Sequence, residues 1–123
     1  YGNFSYILGQ DQVLNEPLSR IPPTQGIMGL RWRNSEKYEY LDFYAWLVRR
    51  QDRLNFQDIS DSRIPNGGTP GYATFNIRYG TMLSDTQRIT VELENILDQA
   101  YRVHGSGVDG AGFSANIQYS FEF

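Results

Sequence analysis

Cysteine, a surplus of positive charge and long apolar runs are all missing from this sequence of 123 residues. Without cysteine, the chain has no disulfide bonds and no thiol chemistry. With 11 basic and 14 acidic residues, it lacks the basic face by which proteins hold nucleic acid, so no nucleic-acid partner is expected. Its longest apolar run covers residues 43–48, whereas a helix needs about 20 apolar residues to cross a membrane.

Aromatic residues and glycine are abundant instead, at 15% of the chain and 12 residues respectively. Aromatic side chains favour strands, and glycine favours the turns that join them. The length suits one domain, residues 1–123. The sequence begins at Tyr1, with no signal segment before the first strand-like run, so we expect either a mature chain or a piece of a longer one.

Apolar and polar residues alternate with a period of two along most of the chain, and no stretch shows the period of a helix. The clearest stretch is the C-terminus, where every second residue from Phe113 to Phe123 is apolar and the residues between are polar. Each such run predicts a strand with one apolar and one polar face. The predicted strands are residues 3–8, 27–33, 38–50, 73–79, 89–94 and 113–123.

The connections between these strands alternate in length. The long ones are residues 9–25, 51–71 and 99–112, and the short ones are residues 34–37 and 81–87. This order predicts an antiparallel sheet with tight turns at one end and extended loops at the other. Outer-membrane barrels show the same asymmetry, with short turns on the periplasmic side and longer loops outside.

Pairing the strands about the two short turns keeps the polar faces together, as antiparallel pairing requires. Folding about the first short turn places Arg31 opposite Tyr40. Folding about the second places Arg78 opposite Thr90. The predicted sheet therefore has one continuous polar face and one continuous apolar face.

Two kinds of protein have such a sheet. A soluble β-sandwich or small barrel that acts as a binding module alternates in the same way, because one face is packed and the other is wet. Strands of soluble proteins average about 5–6 residues, whereas tilted membrane strands need about 9–11. The longest runs, residues 38–50 and 113–123, favour the membrane. An open sheet cannot span lipid alone, since its edges are unpaired, so a barrel fragment is predicted.

Two segments near the C-terminus carry a family resemblance. Residues 91–102, with Asn95, Asp98 and Tyr101, resemble the V-x-N-L-x-D-x-x-Y signature of TonB-dependent outer-membrane receptors. The final alternating strand resembles the sorting signal that the barrel-assembly machinery recognises. Its apolar residues at the end of the chain are Tyr119, Phe121 and Phe123.

Other segments agree with this resemblance or depart from it. Residues 17–23 and 64–72 are similar to stretches that lead from an extracellular loop into a strand of such receptors. The family often has Gly-Arg where its last strand begins, whereas this chain has Gly110, Ala111, Gly112 and Phe113. The departure removes one supporting match and leaves the predicted fold unchanged.

The resemblance implies an all-β, antiparallel transmembrane β-barrel of about 22 strands, of which this chain would supply about the last six. Its location would be the outer membrane of a Gram-negative bacterium. The implied partners are the lipid bilayer, the barrel-assembly machinery, a small-molecule nutrient, and the TonB complex acting through an N-terminal plug outside this chain. The nutrient would be a ferric siderophore, haem, cobalamin or an oligosaccharide. A passive porin-type barrel is a second alternative.

Polar strand residues would line the lumen of such a barrel, as a hydrated wall against the plug. The alternative is that these residues form a direct path for the substrate. The predicted lumen-facing residues are Arg31, Arg33, Asp42, Asn76, Arg78, Glu92, Glu94, Asn116 and Gln118.

Charged residues in the predicted long loops are candidates for ligand contact, because loops carry binding in such barrels. Mixed charge in the middle loop favours ion pairs that fold the loop down, and ligand capture is the alternative. The single histidine would contact haem or a metal chelate, or else be a solvated loop residue. The candidates are Arg20, Asp52, Arg53, Asp58, Asp61, Arg63, Arg102, His104 and Asp109.

No arrangement of residues predicts catalysis. The sequence has no Ser-His-Asp set, no phosphate-binding glycine loop and no zinc motif. Glu92 and Glu94 project from the same side of one predicted strand without a cleft between them, which does not suit a glycosidase. We therefore expect no enzyme activity, no metal site and no cofactor.

Overall fold

The computed structural model describes residues 1–123, and most of its regular structure is strand. The elements in chain order are β1 (Gly2–Ser5), β2 (Gln10–Asp11), β3 (Glu16–Pro17), β4 (Gln25–Asn34), β5 (Glu39–Val48), α1 (Phe56–Ser60), β6 (Tyr72–Ser84), β7 (Gln87–Glu94) and β8 (Ser114–Phe121). Six strands form one open antiparallel sheet in the order β1-β4-β5-β6-β7-β8, and β2 pairs with β3 in a separate small hairpin. The prediction of an all-β antiparallel sheet is confirmed.

The six predicted strands correspond to the six strands of the large sheet, although β1 ends at Ser5, earlier than expected. The hairpin β2–β3 and the five-residue helix α1 were not predicted. One turn and a half of helix is too short to show a helical period in the sequence. No helix of the structure is long and apolar enough to span a membrane.

Long and short connections alternate as predicted. Residues 35–38 join β4 to β5, and residues 85–86 join β6 to β7. The three long connections are L1 (residues 6–24), L2 (residues 49–71) and L3 (residues 95–113). Because the sheet is a simple meander, L1, L2 and L3 all leave from one end of it and the two tight turns from the other.

The predicted register was wrong by two residues in both hairpins. Arg31 pairs with Asp42, and Arg78 pairs with Glu92. The first turn begins one residue later than predicted, because Asn34 belongs to β4 and its side chain accepts a hydrogen bond from the Glu36 amide at 3.1 Å. In the second hairpin β6 continues to Ser84 and β7 begins at Gln87, so the connection is shorter than the predicted residues 81–87. A displacement of two residues keeps each side chain on its face, so the prediction of separate polar and apolar faces is confirmed.

The apolar face consists of rows of side chains that cross five strands. One row contains Leu30, Phe43, Ile77, Leu93 and Ala115, and the next contains Trp32, Leu41, Tyr79, Val91 and Ile117. Leu30 is 76% exposed and Ile117 is 73% exposed. No second layer of the chain covers this face. Phe113 and Phe121, two residues that a soluble sandwich would bury, are 55% and 48% exposed.

The buried residues lie mainly on the polar face and in the loops. Of 13 buried residues only Ala45, Val48 and Ile64 are hydrophobic, whereas eight are polar or charged. Asp42, Thr74 and Asn76 are buried on the polar face of the sheet. This arrangement is the inverse of a water-soluble sheet, which buries its apolar face.

Candidate functional site

The three long loops contact one another at one end of the sheet, and together we call them the crown. The Arg20 amide of L1 donates to the carboxylate of Asp58 in L2 at 3.0 Å. The Gln51 side chain of L2 donates to the Ile21 carbonyl of L1 at 2.6 Å. Thr69 of L2 and His104 of L3 share a hydrogen bond of 2.9 Å. Each loop is therefore held by at least one other.

Asp58 is the central residue of the crown. Asn55 caps the N-terminus of α1 by accepting from the Asp58 amide at 2.9 Å, and Asp58 accepts in turn from the Asn55 amide at 3.5 Å. The Asp58 residue is only 2% exposed, and its second oxygen accepts from Arg20. In this structure Asp58 joins L1 to L2, and its carboxylate is not presented to solvent.

Two arginines share one carboxylate nearby. Arg63 forms a close ion pair with Asp61, and Arg20 approaches the same carboxylate at 3.5 Å. Hydrogen bonds from Arg63 hold the pKa of Asp61 well below its ordinary value. The Arg63–Asp61 pair is local to L2, and the Arg20 contact links Asp61 to L1. Two guanidinium groups against one carboxylate leave the exposed end of this cluster positive.

His104 is half-buried between L2 and L3. Its Nδ1 atom contacts the Thr69 hydroxyl, whereas its Nε2 atom is buried without a hydrogen-bond partner. Burial lowers the pKa of His104, and the negative charges of Asp58 and Asp61 partly oppose this effect. The imidazole is therefore neutral near pH 7, and it serves as a contact between loops.

The remaining loop candidates are more accessible. Arg102 and Asp109 form an ion pair within L3, in which the Arg102 Nε donates at 2.7 Å. Arg53 donates to the side chain of Gln10 in L1 at 3.0 Å. Asp52 is exposed. These four residues line the outer surface of the crown.

Asn95 fixes the base of L3. It has a positive φ of 49°, a conformation that asparagine tolerates better than most residues. Its side chain donates to the carbonyls of Gln99 and Ala111 and accepts from the Gln99 amide, with distances of 2.9 to 3.1 Å. Its own amide donates to the side chain of Asn76 at 2.9 Å. This first motif residue therefore ties L3 to the sheet.

The other two motif residues position the start of the last strand. Asp98 accepts from the Phe113 amide at 2.8 Å, and the Tyr101 carbonyl accepts from the Gly110 amide at 2.8 Å. A Cβ on Gly110 would lie 2.2 Å from the Tyr101 ring, and one on Gly112 would lie 2.5 Å from the Asp98 carboxylate. A side chain at either position would therefore displace the Tyr101 ring or the Asp98 carboxylate.

A row of alternating charges crosses the polar face. Arg31, Asp42, Arg78 and Glu92 lie opposite one another on successive strands, with Asn116 next in the row. Arg31 forms a close ion pair with Asp42, which is 1% exposed, and Arg78 donates to Glu92 at 3.0 Å. The row is electrically balanced within the sheet.

The predicted lumen-facing residues all occupy the polar face, but their surroundings differ. Asp42 and Asn76 are buried among neighbouring side chains rather than hydrated. Glu94 accepts from Asn116 at 3.1 Å, which keeps that part of the wall polar. Arg33 and Gln118 are exposed toward the short turns. The predicted residues therefore differ in exposure along the polar face.

A cavity of about 210 Å³ lies where the polar face meets L3. Its lining includes Tyr44, Trp46, Glu94, Asn95 and Tyr101. Tyr101 packs against Tyr72 with ring centroids 4.5 Å apart, and Trp46 lies edge-on to both rings. The cavity combines aromatic surface with a carboxylate.

Sequence reasoning had not selected Trp46 and Tyr72 as site residues. Trp46 was placed on the polar face by alternation, and a large aromatic residue on a polar face was the available signal. Nothing in the sequence indicated that L3 would bring Tyr101 against Trp46 and Tyr72.

Tyr119 and Phe121 project from the apolar face of β8 and are 57% and 48% exposed. Phe123 follows β8 and packs edge-on against Phe121, with centroids 5.0 Å apart. These aromatic residues form an accessible C-terminal edge close to the short turns.

No group of three or more histidine, aspartate or glutamate side chains is arranged to hold a metal ion.

No protein-family model and no curated protein matches the sequence. Solved structures do match, among them one named "Copper transporter OprC", with a TM-score of 0.86 at 15% sequence identity. The match covers 99% of this chain and 20% of that one, so this chain spans about a fifth of the length of the solved protein. At this identity the likeness establishes the fold alone.

Proposed function

We propose that this chain is the C-terminal part of an outer-membrane β-barrel that imports a scarce nutrient in a TonB-coupled manner. The observation that carries the proposal is the inverted sheet: most buried residues of the chain are polar or charged, while rows of apolar side chains across five strands are exposed or half-exposed. Lipid is the surrounding that makes such a face favourable, because each apolar Å² removed from water contributes about 25 cal/mol.

Strand lengths support the same proposal. β4 and β5 each contain 10 residues and β6 contains 13, and a tilted membrane strand needs about 9–11. The free edges of β1 and β8 require further strands in lipid, where unpaired backbone groups are unfavourable. A barrel of about 22 strands would supply them.

The crown supports a receptor rather than a passive porin. L1, L2 and L3 hold one another at one end of the sheet, and the cavity with Trp46 and Tyr101 lies where the polar face meets L3. Loops joined in this way beside an aromatic cavity suit capture of a ligand more than free diffusion. The proposed ligand class is a ferric siderophore, haem, cobalamin or a similar nutrient, and the likeness to a copper transporter adds a metal ion to this set.

A soluble binding module would require the apolar face of the sheet to be buried. A β-sandwich would bury Ile117 and Tyr119 in a dry core, whereas they are 73% and 57% exposed. The proposal also assigns no catalytic role to any residue of the chain.

The experiment uses the full-length protein that carries this chain, expressed in a Gram-negative host. We expect it in the outer-membrane fraction, with a folded form that migrates faster than the heat-denatured form on electrophoresis. Uptake of candidate nutrients should require both the protein and an intact TonB complex. Recovery of folded protein in the soluble fraction would overturn the membrane location, and uptake that continues without TonB would favour the porin.

A further inference from the structure

The cavity where the polar face meets L3 lies over the middle of the sheet. Its floor is β6, where Thr74 and Asn76 are buried and have short side chains. On either side of this floor, β5 carries Trp46 and β7 carries Glu94, and Tyr101 lines the cavity from L3. Because β5, β6 and β7 are each paired on both sides, these walls do not depend on the free edges of the sheet.

Glu94 is the one charged residue among those that line this cavity. In the neighbouring row toward the short turns, Glu92 is neutralised by Arg78. Glu94 instead lies opposite Ser114 and forms no ion pair. Its Oε2 atom accepts from Ser114 at 3.3 Å and from Asn116 at 3.1 Å, whereas its Oε1 atom has no hydrogen-bond partner in the protein. The cavity is therefore negatively charged and contains an unused acceptor.

The side-chain N–H donors around the cavity are already in use. Trp46, Asn76 and Asn95 each donate to acceptors within the protein, at distances from 2.9 to 3.5 Å. No arginine or lysine lines the cavity. An anionic ligand would bring a second negative charge beside Glu94 without a free side-chain N–H group to bind it, so the site does not suit an anion.

Three half-buried aromatic rings meet at the cavity. Trp46 and Tyr101 line it, with ring centroids 6.2 Å apart and ring planes at 83° to each other, and Tyr72 packs against both. Two rings at nearly a right angle form a corner. The faces of aromatic rings attract cations, and proteins bind quaternary ammonium groups in cages of such rings. A corner of this kind beside a free carboxylate oxygen therefore suits an alkylated ammonium group.

The size of the cavity points to one end of a ligand. Its volume of about 210 Å³ is smaller than the ~300–1,000 Å³ of pockets that enclose a whole small molecule. A bare metal ion is a poor occupant, because Glu94 has no second carboxylate or histidine arranged with it as a ligand set. A compact organic cation fits better, since it contacts the aromatic walls and neutralises Glu94.

We propose that this cavity binds an alkylated ammonium group of the imported ligand, with its methyl groups against Trp46 and Tyr101 and its charge toward Oε1 of Glu94. The proposal rests on the function proposed above and names the chemical class of nutrient that the transporter takes up. Asn95 ties L3 to the sheet and so positions Tyr101 at the cavity.

The test uses the full-length protein, purified in a non-ionic detergent, and measures binding of choline by saturation-transfer NMR. The neutral probe is dimethylbutanol, the analogue of choline in which carbon replaces the charged nitrogen. Potassium chloride keeps the ionic strength constant in every titration. We expect choline to bind about tenfold more tightly than the neutral probe, because only choline gains from the ring faces and the carboxylate.

Substitutions separate the contributions of charge and ring. Glu94→Gln removes the charge with little change of shape and should weaken choline binding by about tenfold. Trp46→Leu should weaken it by a similar factor of about ten, whereas Trp46→Phe keeps an aromatic face and should retain most of the binding. The matched control is Glu36→Gln, which removes an exposed carboxylate in the first short turn and should bind choline as the unmodified protein does.

Absence of choline binding, equal binding of the two probes, unchanged binding by Glu94→Gln, or an equal loss in Glu36→Gln would each overturn the cation site. The comparison of probes needs no variant, so it decides the matter even where a substitution prevents folding. A protein found outside the outer membrane, or uptake that continues without TonB, would instead refute the proposed function. The two failures are therefore distinguishable.

Discussion

The sheet and the crown are stabilised in different ways. Of 57 backbone hydrogen bonds, 43 lie within strands and the helix, so the sheet is held by a repeating ladder. The crown depends on individual side chains such as Asn55, Asp58 and Asn95, each of which satisfies particular backbone groups. Removing one such side chain affects a whole loop, whereas the ladder has no single essential side chain.

We therefore expect the sheet and the crown to be destabilised by different changes. The sheet should respond mainly to what surrounds it, because its apolar face needs a partner that the chain does not supply. The crown should respond to single substitutions and to pH, because its contacts are few and partly ionisable. Regions held by few contacts open locally at lower free energy than the ladder does.

The largest effect is expected from a charge on the apolar face. Leu30→Arg in lipid should destabilise the full-length protein by about 2–4 kcal/mol if the row lies near the membrane centre. The reason is the cost of placing a guanidinium group in hydrocarbon. The measurement is reversible denaturant unfolding in lipid vesicles.

The matched control is Gln118→Arg, at an exposed position on the polar face, which should change stability by no more than about 0.5 kcal/mol. Equal and small effects for both substitutions would mean that both faces contact water. The proposal that only the polar face contacts water would then be wrong.

The next effect concerns the crown. Asn95→Ala should destabilise L3 by about 2–3 kcal/mol, because it leaves the Gln99 amide and the Ala111 carbonyl without a partner and puts alanine at positive φ. Asn95→Gly removes the same hydrogen bonds without the backbone strain and should cost about 1 kcal/mol less. Hydrogen-exchange protection of the Gly110 and Phe113 amides, whose acceptors both variants retain, reports both effects. Equal protection in the two variants would show that the φ value is not a source of strain.

The smallest effect should be a pH dependence of crown opening. Burial lowers the pKa of His104 below its ordinary value of 6.5, so an opened crown takes up a proton more readily than a closed one. The stability of the contact between L2 and L3 should therefore be complete above pH 6.5 and decline as the pH falls below it. Asp61 weakens the crown only at lower pH, because its contribution is complete above its ordinary pKa of 3.8.

The measurement is the protection factor of L3 amides between neutral pH and mild acid. His104→Gln retains a polar partner for Thr69 and should abolish the dependence. An unchanged dependence in this variant would assign the titration to another group.

Much of the sheet was predictable, because alternation is a local property. The run from Phe113 to Phe123 defined β8 and its two faces without any tertiary contact. The register was displaced by two residues because turn position depends on details such as the Asn34 side chain. A displacement by two residues leaves every side chain on the same face, so a period-two pattern cannot reveal it.

The candidate site was less predictable. Asp58 and His104 were selected as charged or titratable loop residues, and the structure places them in contacts between loops. Asp58 meets the Arg20 amide across 38 residues of chain, a partner that composition and spacing do not indicate. The short helix that orients Asp58 was likewise invisible to periodicity.

The sequence by itself determined which side of each strand is apolar, how many strands form the sheet and which end bears the long loops, since these follow from a repeat of two residues and the lengths between repeats. Only the tertiary structure decided that Asp42 and Asn76 are buried, and that Tyr101 packs against Trp46 and Tyr72. These features depend on contacts between distant segments, and a local pattern carries no information about which distant segments meet.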